Sequence, residues 1–129
     1  MRDSRATLLV CIVALVLVPG CSNSMGPTAG ILNVSLSSPH PDDGAVLLSI
    51  SGGRVDSVES IGYPIYSARP APETLKLIIT GTLGGGPIAR IHISDLRQAS
   101  RYHASLEQVA ARVTYAQHDP AEHAITLLP

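Results

Sequence analysis

Apolar residues recur at every second position through most of this chain, and that alternation restricts its fold more than any other feature. Leu32, Val34 and Leu36 alternate with polar residues, and the same period returns in later segments. Because side chains two positions apart share one face of a β-strand, each segment predicts a strand with one buried face. The stronger later segments cover residues 46–50, 75–79 and 89–93, and the weaker ones cover 55–61, 63–69 and 123–128.

Glycine and proline separate these predicted strands. Residues 39–44 include two prolines and a glycine, and residues 84–87 are three glycines followed by a proline. Gly52 and Gly53 predict a two-residue hairpin, because glycine accepts the positive φ angles of such turns. Residues 70–72 predict a loop. Many short strands divided in this way predict an all-β fold, a small antiparallel sandwich.

Residues 95–113 leave two alternatives open. Their apolar side chains follow a helical spacing of three and four, and Asp95 suits the N-cap of a helix. Tyr102, Ala104 and Leu106 also fit the alternation of a strand. Because strands surround this segment, we predict a short turn followed by a long bent strand, with a short helix as the alternative.

The start of the chain has the layout of a secretory signal. A positively charged beginning precedes an unbroken apolar run over residues 8–18, which is too short for a bilayer core of about 30 Å. The sequence Val18-Pro19-Gly20-Cys21 then resembles the lipobox of bacterial lipoproteins. That resemblance implies cleavage before Cys21 and lipid on its thiol, and two or three acyl chains give stable membrane anchoring.

The resemblance divides the chain into a signal peptide (1–20), a flexible tether (21–30) and a β-sandwich domain (31–129). It implies a lipid-anchored protein of the cell envelope, outside the cytoplasm and at the outer membrane where the cell has one. Cys11 would leave with the signal, and Cys21 is the only other cysteine. The domain is therefore expected to contain no disulfide, no thiolate metal site and no cysteine nucleophile.

Composition limits the function classes further. The formal net charge is −1, so the chain lacks the basic surface typical of nucleic-acid binding, and no nucleic-acid partner is expected. Four tyrosines are the only aromatic residues. We therefore predict a core of Leu, Ile, Val and Ala. A glycan-binding module stays an alternative, although few side chains are available to stack on sugars.

The sharpest local motif covers residues 39–44, with the sequence Pro-His-Pro-Asp-Asp-Gly. It resembles the PHPDDE zinc motif of the LmbE-like deacetylases, in which His and Asp bind the metal and another Asp acts as base. The resemblance implies a metal-dependent hydrolase using His40, Asp42 and Asp43. Gly44 replaces the acidic residue of that family, and the strand–helix alternation of its α/β fold is missing. A proline-rich turn is the prediction we prefer here.

The other histidines give no metal-binding pattern in the sequence. His92, His103, His118 and His123 show no compact ligand spacing, and the last two flank an Asp-Pro turn signature. No nucleophile elbow or phosphate-binding loop occurs either. We therefore predict no catalytic, cofactor-binding or metal-binding residues, no cofactor, and Cys21 as a lipidation site.

The strand rhythm from residue 31 to about residue 95 is carried by residues 43–50, 55–58, 74–81 and 88–91. It resembles half of a cohesin-type, immunoglobulin-like sandwich. The resemblance implies a fold class and no binding residue, since fold alone does not give function.

Together these features predict a non-catalytic binding or assembly module of the cell envelope, with an envelope protein as a candidate partner.

Overall fold

The computed structural model describes residues 26–129, so the predicted signal peptide and Cys21 lie outside the described residues. Nine strands and two short 3-10 helices follow one another in this part of the chain. The strands are β1 (Gly30–Ser37), β2 (Asp43–Ser51), β3 (Ser57–Ser60), β4 (Ile65–Ala71), β5 (Thr74–Thr80), β6 (Gly86–Ile93), β7 (His103–Ala111), β8 (Gln117–His118) and β9 (Ala124–Leu128), and the 3-10 helices are Leu96–Arg101 and Pro120–Glu122.

The strands form two sheets. The four-stranded sheet has the order β3-β6-β1-β9, and the five-stranded sheet has the order β4-β5-β2-β7-β8. Every pairing between neighbouring strands is antiparallel. The all-β sandwich predicted from the alternation is therefore confirmed, while the likeness to cohesins stays a prediction.

The core lies between the two sheets and consists of the alternating apolar residues. Leu32, Val34 and Leu36 point inward from β1, and the matching positions of the other long strands do the same. Burial of this kind contributes about 1.5–3 kcal/mol for each large aliphatic side chain. The core also contains Val46, Leu48, Ile50, Val55, Leu75, Leu77, Ile79, Leu83, Ile88, Ala89, Ile91, Ile93 and Val109, as the composition predicts.

A bulge in β7 explains why residues 95–113 resemble a helix in sequence. The segment begins with the 3-10 helix Leu96–Arg101, which Asp95 caps by accepting a hydrogen bond from the backbone of Arg97. In β7, Leu106 pairs with Leu48 and Gln108 pairs with Leu47, so Glu107 is an extra residue. Inward-facing side chains stand at even positions before Glu107 and at odd positions after it, so Leu106 and Val109 are three residues apart. The predicted short turn and long bent strand are confirmed.

The prediction of a hairpin at Gly52 and Gly53 is wrong. Strand β3 does not return beside β2 but pairs with β6 in the other sheet. Gly52 does take a positive φ of 98°, and a side chain there would collide with the carbonyl of Arg101. The glycine is thus needed for close packing at a crossing between sheets rather than for a tight hairpin.

The loop predicted at residues 70–72 is partly wrong, since β4 continues to Ala71 and only Pro72 lies in the turn before β5. Pro70 is tolerated because β4 is the edge strand of its sheet, where a missing N–H leaves no ladder hydrogen bond unmade. The register also shifts between Ala68 and Ala71, so the proline sits in an irregular part of the pairing.

The domain begins inside the segment predicted as a tether. Strand β1 starts at Gly30, and the N–H of Leu96 donates to the carbonyl of Thr28 at 2.7 Å. Residues from Thr28 onward therefore contact the folded domain. Within residues 26–129, neither 3-10 helix has the length and apolar character that crossing a bilayer requires.

Deleting single residues from β7 tests the register. Removal of Glu107 heals the bulge, so we expect the fold to survive at a cost of about 1 kcal/mol. Removal of Ser105, which is also exposed, turns inward-facing side chains on one side of the deletion outward, and we expect a loss of about 3 kcal/mol or more. Urea denaturation of both variants measures the difference. Equal destabilisation by the two deletions would contradict the bulge.

Candidate functional site

Ionisable side chains from two distant parts of the chain meet at one end of the sandwich. The β1–β2 connection passes from one sheet to the other at this end, and so does the segment from β8 to β9. Pairing of Ser37 with Ala124 brings the two crossings together. The loop-end cluster, as we call it, comprises His40, Asp42 and Asp43 from the first crossing and His118, Glu122 and His123 from the second.

Asp43 is the buried centre of the loop-end cluster. Its side chain is 0% exposed and accepts hydrogen bonds from the Ser38 hydroxyl, from Nδ1 of His118 at 2.9 Å and from Nε2 of His123 at 3.0 Å. Burial raises the pKa of the Asp43 carboxyl, but these three hydrogen bonds and the charge of His123 together lower it below its usual value of 3.8. Asp43 is therefore an ionised carboxylate inside the protein.

The turn before β2 is held by its own short-range contacts. The hydroxyl of Ser38 accepts from the backbone N–H of His40 at 2.9 Å, as well as donating to Asp43. The carbonyl of Asp42 accepts from the N–H of Arg112 at 2.7 Å. A side chain at Gly44 would collide with the backbone of Arg112. The glycine of the motif thus serves packing against the end of β7.

His123 faces a hydrogen-bond acceptor with each of its ring nitrogens. Nδ1 lies 3.0 Å from the carbonyl of Asp119, and Nε2 lies 3.0 Å from the carboxylate of Asp43. The His123 side chain is 0% exposed. Both of its ring nitrogens are therefore engaged inside the protein, one of them by Asp43.

His40 and His118 form the outer side of the loop-end cluster. Their rings stack with centroids 4.0 Å apart and planes inclined by 25°. His118 uses Nδ1 for Asp43, and His40 uses Nε2 for Glu122 at 2.7 Å. Within residues 26–129, Nε2 of His118 and Nδ1 of His40 have no hydrogen-bond partner. Each ring thus pairs one nitrogen with a carboxylate and leaves the other one available.

Two overlapping sets of three residues in the loop-end cluster have the spacing of metal ligands. The outer set is His40, Asp42 and His118, and the inner set is Asp43, His118 and His123. In each set, one ligand atom from every residue lies within 4.8 Å of one from each of the others. Imidazole nitrogen and carboxylate oxygen are common ligands of zinc and related ions.

The sequence identified only part of this arrangement. His40, Asp42 and Asp43 do lie together, but Asp42 is exposed whereas Asp43 is buried. His118 and His123 join them across 75 and 80 residues of chain from Asp43. The other two histidines lie elsewhere: His92 contacts Glu59 on the four-stranded sheet, and His103 begins β7. Comparisons with family models, curated proteins and solved structures find no match to this chain.

Asp43 makes the stability of the domain depend on acidity. Because its folded pKa lies below 3.8, its contribution is fully present above that value and is lost as the pH falls through the folded pKa. Asp43→Ala removes the acceptor shared by three side chains at this end of the sandwich, and we expect a loss of about 3–5 kcal/mol at pH 7. Urea denaturation between pH 7 and pH 2, with EDTA present, measures the free energy of unfolding.

The control for this experiment is Asp56→Asn, because Asp56 is half-exposed and contacts Arg54 only at 4.0 Å. Its effect should stay near zero at all pH values. The difference between the wild type and Asp43→Ala should shrink as the pH falls. A difference that stays constant down to pH 2 would contradict an ionised Asp43.

Proposed function

We propose that this chain is a lipid-anchored, non-catalytic binding module of the cell envelope, and that the loop-end cluster binds a divalent transition-metal ion. One observation carries the metal proposal: ligand atoms of His40, Asp42 and His118 lie within 4.8 Å of one another at the exposed end of a β-sandwich. His118 lies on β8 and Asp42 directly precedes β2, and ligands on and beside strands are held more firmly than ligands on long loops.

The donor set selects the class of ion. Two imidazoles and one carboxylate suit Zn²⁺, Cu²⁺ or Ni²⁺, whereas Mg²⁺ and Ca²⁺ prefer sites made of oxygen ligands alone. Zinc ligands at about 2.1 Å in a tetrahedron lie about 3.4 Å from one another, so the three residues would close slightly around the ion. Three protein ligands leave one position open. A side chain of a partner protein could fill it, which would connect metal binding with an assembly role.

The non-catalytic part of the proposal is supported by the position of Asp43. Resemblance to the deacetylases would give a carboxylate beside the metal the role of activating water. Asp43 is fully buried and accepts hydrogen bonds from Ser38, His118 and His123. A carboxylate that is closed to solvent and engaged in this way cannot reach a substrate water, so we propose that Asp43 supports the site instead of acting as a base.

The envelope part of the proposal is supported by the sequence of the first residues. The apolar run and the Val18-Pro19-Gly20-Cys21 segment resemble a lipoprotein signal, and β1 begins only nine residues beyond Cys21, at Gly30. Anchored through so short a tether, the domain would lie close to the membrane surface. Its partners would then be the lipid bilayer and a neighbouring envelope protein.

Zinc titration tests the metal proposal. We expect the purified wild type to bind one Zn²⁺ and to gain about 2.7 kcal/mol of stability at a free zinc concentration one hundred times the Kd. His118→Ala should abolish both effects, because His118 belongs to both ligand sets. The matched control is His103→Ala, an exposed histidine outside the loop-end cluster. Absence of binding by the wild type, or equal binding of Mg²⁺ and Zn²⁺, would refute the metal proposal.

Substitution of Cys21 tests the anchoring proposal. We expect the wild type in the membrane fraction of cells and Cys21→Ser in the soluble fraction or retained with its signal uncleaved, because the serine hydroxyl cannot form the thioether to lipid. Crosslinking of the same cells should recover a stoichiometric envelope protein with the wild type and not with Cys21→Ser. Equal membrane association of both proteins would contradict anchoring through Cys21.

A further inference from the structure

Two ligand sets share His118, and an ion can use only one of them at a time. We infer that the ion binds the outer set, His40, Asp42 and His118, and that buried Asp43 is a positioning residue that fixes the proton of His118 on Nδ1 and presents Nε2 to the ion. This inference rests on the proposed function, since it assigns the ligands of the same site.

His123 argues against the inner set because both of its ring nitrogens are already engaged. Nδ1 lies 3.0 Å from the carbonyl of Asp119, and Nε2 lies 3.0 Å from the carboxylate of Asp43. To bind a metal through Nε2, it would have to give up its contact with Asp43. Its side chain is also 0% exposed, so an ion entering the inner set would have to displace packed protein.

The outer histidines already have the environment of metal ligands. A metal-binding histidine typically donates its second ring N–H to a carboxylate, which fixes the tautomer and raises the basicity of the free nitrogen. His118 has Asp43 in this role and His40 has Glu122. Each of these two histidines has one ring nitrogen beside a carboxylate and the other without a hydrogen-bond partner among residues 26–129. This arrangement is typical of metal ligands.

Access and mobility also favour the outer set. The side chains of His40 and Glu122 are 33% and 53% exposed, and Asp42 is exposed. The two stacked rings are inclined by only 25°, so the lone pairs of both rings lie in nearly parallel planes. Closing both onto one ion requires one ring to rotate. His40 can make that rotation at the surface, whereas the contact with buried Asp43 holds His118 in place.

Nitrogen-15 NMR of the histidine rings in the full-length wild-type chain, in detergent, tests the assignment without any substitution. Before zinc is added, His118 should be the Nδ1–H tautomer. Addition of one equivalent of Zn²⁺ should move the signals of Nε2 of His118 and Nδ1 of His40 and leave those of His123 in place. A shift of the His123 ring signals as large as that of His40 would overturn the inference.

Four substitutions test the ligand assignment by zinc affinity. His40→Ala and Asp42→Asn remove outer ligands and should weaken binding more than any other change outside His118. Asp43→Asn keeps an oxygen for His118 but removes the charge, so we expect a loss of about 10–100-fold together with a mixture of His118 tautomers. A purely structural role for Asp43 would leave the tautomer unchanged. His123→Gln should reduce affinity less than either ligand variant.

The outcomes separate the inference from the function on which it rests. If the wild type binds no zinc, the proposed function fails and the ligand assignment fails with it. If the wild type binds zinc while His40→Ala and Asp42→Asn bind equally well and His123→Gln does not, the function stands and the outer-set assignment is wrong. Cobalt substitution gives an independent check, because the visible absorption of bound Co²⁺ should change in the outer-set variants and persist in His123→Gln.

Discussion

The buried negative charge of Asp43 is the interaction on which this end of the molecule depends. A carboxylate removed from water is costly unless it is fully hydrogen-bonded and neutralised. Ser38, His118 and His123 supply those contacts, and in doing so they join the β1–β2 turn to the last segment of the chain. The apolar core holds the two sheets together, whereas Asp43 determines how the connections between them are arranged.

Much of the fold was predictable because strand patterning is a local property. Alternation identified β1, β2, β5 and β6 from short stretches of sequence, and it identified the inward face of each. The errors occurred where the outcome depends on distant contacts. Gly52 has the backbone angle of a turn, but the sheet that the following strand joins is determined by packing across the sandwich. The bulge at Glu107 likewise arises from pairing with β2. In the sequence it produces an apolar spacing of three, which is also typical of a helix.

The candidate site was less predictable than the fold for the same reason. The motif at residues 39–44 drew attention to His40, Asp42 and Asp43, but its resemblance implied that both aspartates would act at the metal, one as ligand and one as base. Their environments differ because β2 begins at Asp43. The side chain of Asp43 is buried, and that of Asp42, just before the strand, remains in solvent. Nothing near His118 or His123 in the sequence indicates a partner 75 or 80 residues earlier. Pairing of β8 with β7 beside β2 brings His118 to Asp43, and pairing of β9 with β1 brings His123 to it.

The separation of the two halves of the loop-end cluster has a consequence for the order in which the protein matures. A chain is made from its N-terminus, and His40 and Asp43 emerge long before His118 and His123 do. Before residues 118–123 have been made, Asp43 has neither of its histidine partners, and the burial seen in the folded domain would be unfavourable. This end of the sandwich can therefore close only after that segment has emerged, and any fragment that stops before residue 118 lacks both histidine contacts.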